Sequence, residues 1–161
     1  MSREELTDLV LTVLGPPLAE HGFRTDRACA GDLLRTFQEG DQRISVEPFR
    51  WPSEVKWHVT FRLKVRFDPV ERMLRDYKLR SGGKPDRCVS AINRLIDNLY
   101  PKTIGNFDWE VAGEEDVRFV ANNMAERIRA YALPFFDSLS SIEQLRSAER
   151  VNDSETVAGR I

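Results

Sequence analysis

The segment VKWHVTFRLKVRF, residues 55–67, constrains the fold more than any other part of the chain. Its odd positions carry Val55, Trp57, Val59, Phe61, Leu63, Val65 and Phe67, and its even positions Lys56, His58, Thr60, Arg62, Lys64 and Arg66. Successive side chains of a strand point to opposite faces, so this alternation predicts one face on a core and the other in water. A one-sided strand belongs to an antiparallel sheet, because covered parallel strands are apolar on both sides. Strands usually run about five or six residues, so one this long is expected to twist strongly, bulge or fray at its ends.

An apolar sheet face needs a cover, and both ends of the chain offer one. Ser2 and Glu5 form a capping box, and Leu6, Leu9, Val10, Val13 and Leu14 recur at helical spacing behind it. Pro16 and Pro17 predict a kink or a stop, with Gly22 just past the helix end. Toward the other end, Glu114, Glu115 and Asp116 open a helix whose buried stripe runs from Val117 through Val120, Ala121, Met124 and Ile128. Pro134 predicts that this helix bends or ends at Leu133, and Ser140 with Glu143 reads as a second capping box.

Between these helices, LLRTFQ, EGDQ and RISVEPF read as a hairpin with Gly40 and Asp41 at its tip, Ile44 and Val46 facing inward, and Pro48 weakening the strand end. Residues 68–86 read as a short helical turn running into a Gly-Gly loop at SGGKP. CVSAINRLIDNLY fits a helix or a strand, and its periodicity leans toward helix. Phe107, Trp109 and Val111 alternate as a short strand would. The fold class that follows is α+β over residues 1–148: an antiparallel sheet with N-terminal and C-terminal helices packed on its apolar face. Residues 149–161 lack periodicity and read as a disordered tail.

The order of these signals, with PLAEHGF after the first helix, an aromatic DWE segment and the closing YALPFFDSLSSIEQL, resembles a bacterial family designated domain-of-unknown-function family 4304. The most specific part of the likeness is Ala132 to Leu145, with His21-Gly22-Phe23 as a weaker second piece. The resemblance implies a bacterial, cytoplasmic α+β domain and carries over no activity, cofactor or site residue.

Chemistry is sparsely signalled. The acidic, capped start is unlike a secretion signal, and no apolar run is long enough to span a bilayer, so the chain reads as soluble and cytoplasmic. Cys29 and Cys88 fit no metal or redox spacing and read as free, buried thiols. No pattern calls for a cofactor, a metal or a nucleophile, and no catalytic residue is assigned. His21 reads as a helix-end residue. The acidic group Asp108, Glu110, Glu114, Glu115 and Asp116 offers paired carboxylates, although helix capping accounts for the last three.

Charge distribution is more informative. The net charge is only -2, yet residues 56–87 hold ten Lys or Arg against four acids. The stripe of Lys56, His58, Arg62, Lys64 and Arg66 reads either as a solvated, salt-bridged face or as a contact surface for an acidic protein partner. Nucleic acid is disfavoured, because parity points Trp57 to the core side and removes the stacking ring that a single-strand platform needs. Arg50 and Trp51, in the loop before the long strand, have the residue types of interface anchors. The expected function is a non-enzymatic module for a protein partner, of the immunity or regulatory kind. The alternative is an enzyme acting on an anionic small molecule between sheet and long helix, with His58 or Glu110 as base.

Overall fold

A computed structural model describes residues 1–26, 28–80, 92–95 and 108–147. The elements in chain order are α1 (Arg3–Ala19), β1 (Arg24–Thr25), β2 (Asp32–Phe37), β3 (Gly40–Phe49), β4 (Trp57–Phe67), α2 (Asp68–Arg80), β5 (Ile92–Leu95), β6 (Trp109–Val111) and α3 (Glu114–Arg127). A π-helical turn (Ile128–Ala132) joins α3 to α4 (Leu133–Asp137), and a last helical segment occupies 142–147. Among the described residues six strands form one antiparallel sheet in the order β1-β2-β3-β4-β5, with β6 also paired to β4. The fold is α+β, as the alternation and the two terminal helices require.

From Val59 onward the odd side of β4 is dry as parity requires, but on its even side His58 and Thr60, expected in water, are also buried, at 7% and 8% exposure. Val59, Phe61, Leu63, Val65 and Phe67 are fully buried, and they pack with Ile44 and Val46 of β3, Leu6, Val10 and Leu14 of α1, and Val120 and Met124 of α3 in one apolar cluster. Each such side chain contributes about 1.5–3 kcal/mol by leaving water, so this sandwich of sheet and two helices is the main source of stability. Fraying shortens the predicted strand at one end: β4 begins at Trp57, and Val55, expected on the core side, is 90% exposed.

Several local expectations shift for identifiable reasons. Helix α1 runs through Pro16 and Pro17 to Ala19 without a break. Only the last turn loses its amide donors, and Leu14 and Leu18, both fully buried, keep that turn on the core. Gly22 takes the left-handed conformation expected beyond the helix, with φ 81°. The β2–β3 turn is Gln38-Glu39, because Phe37 pairs with Gly40 inside the ladder. Gly40 is needed for approach rather than for turning: a Cβ there would fall 1.8 Å from the Arg66 carbonyl oxygen. Pro48 is tolerated because β2 stops alongside Ser45, so the missing N–H faces no neighbouring strand.

Residues 68–80 form a full helix rather than a short turn, with Pro69 in the first turn where its lost donor costs nothing, and Asp68 and Glu71 near the helix start. Ile92–Leu95 is a strand on β4, which corrects the helical preference there. Unpaired edge groups of β4 determine that outcome, and a residue pattern shared by both element types cannot report it. Pro134 does not end the helix. The Leu133 amide donates to the Ile128 carbonyl across the widened π turn, and the chain re-enters α-helix with Pro134 in its first turn. The last cap also moves by one residue: Ser141 Oγ accepts from the Gln144 amide, and Glu39 of the β2–β3 turn accepts from the Ile142 amide at 2.8 Å. The SGGKP loop, Cys88, Phe107 and the 149–161 tail lie outside the described residues.

Candidate functional site

The polar face of the sheet is where the sequence places its candidates, and register decides what each cation meets. Arg66 lies opposite Asp41, Lys64 opposite Arg43, and Arg62 opposite Ser45, with Glu47 one position along. The Arg62 guanidinium grips Glu47 with two bonds, at 2.8 and 3.2 Å. Asp41, 2% exposed, accepts from Arg43 at 2.8 Å and from Arg66 at 2.5 Å. Arg66 also pairs with Glu71 of α2, and Arg43 with Asp26. Asp32 accepts a hydrogen bond from Ser45, and its second oxygen lies 3.6 Å from Lys64 and 3.7 Å from Arg43, within ion-pair range. Burial alone would lower the Arg43 and Arg66 pKa values, yet the bond to Asp41 and the surrounding carboxylates hold both above the usual range. The result is a closed lattice of alternating charges, in which Arg62, Lys64 and Arg66 are half-buried.

At the N-terminal end of β4 the arrangement differs. His58 is 7% exposed, with its ring stacked on Phe49 at 5.3 Å. Its Nε2 lies 2.5 Å from Glu54 and its Nδ1 lies 3.1 Å from Asp108, so both nitrogens face carboxylates. The hydrogen bond to Glu54 raises the imidazole pKa; burial opposes the rise, and the charge and hydrogen bond of Asp108 add to it. In its protonated form, which that shift favours, the ring donates to both carboxylates and fastens the 50–56 loop and the chain before β6 to the sheet. Lys56 pairs with Glu110 at 2.8 Å, and both side chains are more than half exposed.

The loop so fastened carries the two anchor candidates in opposite directions. Trp51 is 54% exposed and meets Phe49 edge-on, whereas Arg50 lies over the Trp57 ring at 5.1 Å. Beside Arg50 opens a groove of about 850 Å³ between α1, the loop and the start of α3. Leu9, Val55 and Trp57 form its apolar wall, and Asp8, Glu114 and Arg50 its charged rim. Neither His58 nor Arg62 lines it, so the converging base and cation expected of an enzyme pocket do not meet there.

Asp8 and the groove it lines were invisible to sequence reasoning, because Asp8 reads as an ordinary polar position on a helix and gains a neighbour only when α1 meets the β6–α3 corner. The Asp26–Arg43 pair was missed for the same reason. His21 is half-buried, and its carbonyl accepts from Arg35 at 3.5 Å, in keeping with a helix-end position. Cys29, expected as a free and buried thiol, is half-buried and disulfide-bonded. Among the described residues no group of His, Cys, Asp and Glu is arranged to hold a metal ion, and no helix is long and apolar enough to cross a membrane. Comparison with protein-family models, curated proteins and solved structures finds no match for this chain.

Proposed function

We propose that the chain is a non-enzymatic binding module that engages a protein partner, in an immunity-type or regulatory role, through the 50–56 loop and the groove beside it. The observation that carries this reading is a pair of large apolar side chains in water, Trp51 at 54% and Val55 at 90% exposure, on a loop that His58 ties to the sheet through Glu54. Ordering a loop before binding lowers the entropy lost on binding, and an exposed tryptophan on a rigid support is a typical hot spot. The basic strand contributes less to the surface than its composition suggests, since Arg62, Lys64 and Arg66 already have carboxylates of their own. That weakens the case for an acidic partner and for nucleic acid alike. The enzyme reading has less support, because both nitrogens of His58 are engaged and Glu110 is tied to Lys56. A cytoplasmic setting stands against the disulfide at Cys29, a bond that reducing compartments disfavour.

Affinity capture with the intact chain, wild type beside Trp51→Ala, tests the proposal when followed by affinity measurements on the protein retained. Trp51→Ala is expected to weaken that complex by at least about tenfold. Equal capture and equal affinity from both chains would overturn the loop as the contact surface.

A further inference from the structure

We propose that the groove between α1 and the start of α3 receives a cationic, apolar-bearing peptide segment of the partner. Its ammonium or guanidinium group is drawn to Asp8 and Glu114, and its apolar side chains lie on Leu9, Val55 and Trp57. This rests on the binding-module reading and gives the partner a charge opposite to the one the strand composition suggests.

Three observations set that sign. First, Asp8 and Glu114 are exposed on the groove rim and make no ion pair among the described residues, unlike the carboxylates of the sheet face. Second, carboxylates already occupy part of the amide donors at the two helix starts that border the groove. Helix starts attract anions through free amides, but here Ser2 and Glu5 satisfy each other, and Asp116 accepts from the amides of Ala112 at 2.9 Å and Gly113 at 3.2 Å. The Ser2 backbone and hydroxyl, and then the N-terminal ammonium of Met1, lower the Glu5 pKa, so the rim carries Glu5 beside Asp8 and Glu114 against the two cations of Met1 and Arg50. Third, the chain already seats a guanidinium on this wall: Arg50 lies 5.1 Å over the Trp57 ring. A ring face within an acidic field is a favourable place for a cation. The volume, about 850 Å³, suits a few side chains of an extended segment.

Titration of the ¹⁵N-labelled chain with a capped heptapeptide of alternating Lys and Leu, beside its Glu and Leu counterpart, tests the inference through the Trp57 indole N–H resonance. The lysine peptide is expected to move that resonance and the glutamate peptide to leave it in place. The double variant Asp8→Asn, Glu114→Gln, altered only at exposed positions, should bind about fivefold more weakly. Arg50→Gln should bind more tightly, because it removes a competing cation. A Trp57 resonance that stays fixed up to about 1 mM lysine peptide, equal binding of the two peptides, or weaker binding by Arg50→Gln would each overturn the inference. Loss of the Trp51 dependence in the capture experiment, with this charge dependence intact, would overturn the loop reading and leave the groove. The reverse pair of results would overturn the groove and leave the loop.

Discussion

From Arg62 to Arg66, β4 lies in a lattice where each cation has a carboxylate from β2, β3 or α2, whereas at the other end of the same strand Lys56 and the loop before it reach into solvent. The two regions have similar composition and opposite availability. In the lattice, small acids such as Asp32 and Asp41 lie on the sheet floor while Arg and Lys stems cover them, so charge is consumed inside the chain. At the loop end, two carboxylates hold His58, and Asp8 and Glu114 remain exposed on the rim of the groove. A count of charges therefore describes a surface only after register has paired them.

The contrast predicts a ranking of effects. Asp41→Ala leaves Arg43 and Arg66 without a shared, nearly buried partner and should cost about 3 kcal/mol in urea unfolding; a loss within error would mean that the lattice is ornamental and that the strand face is as adaptable as the loop.

A smaller, pH-dependent effect is expected at His58. The groups facing it are Glu54 from the loop, Asp108 beside β6, and Glu110 opposite it in register, which itself pairs with Lys56. Its folded-state pKa lies above the unfolded value of 6.5. The stabilisation is thus complete below about pH 6.5 and is lost as pH rises through the folded value. Unfolding of the wild type followed from pH 5.5 to 9 should show this decline, and His58→Gln should flatten it. A wild-type curve that rises across the same interval would contradict an imidazolium held by two carboxylates.

Smallest of all is Lys56→Gln, which breaks an exposed pair and should leave the unfolding midpoint where it is. A clear drop would extend the structural lattice to the loop end and erase the distinction between the two regions.

Much of the scaffold was legible from local pattern. The odd positions of β4 from Val59 onward and the stripe of α3 were buried as their patterns predicted, because a single strand or helix exposes its amphipathic face in its own sequence, whereas exposed Val55 and buried His58 and Thr60 departed from parity. The candidate site was legible only as a set of residues. Arg50, Trp51, Lys56, His58, Arg62, Lys64 and Arg66 are all where a strand and its preceding loop would put them, yet Glu47, Asp41, Asp32, Glu110 and Asp108 reach their cations across separations that no local pattern reports, and only Glu54 and Glu71 are near in sequence. The strand at Ile92–Leu95 escaped for the same reason, since its ladder bonds are made to β4 rather than within itself.

By itself, then, the sequence determined the antiparallel sheet, the two covering helices and the side of β4 that would be dry, through periodicity and capping. Tertiary structure alone decided which cations are spent, that His58 sits between two carboxylates, and that a groove with an acidic rim opens beside Arg50. The physical reason is that burial follows from the spacing of residues along one element, whereas the availability of a charge depends on which neighbour the register brings within about 4 Å of it.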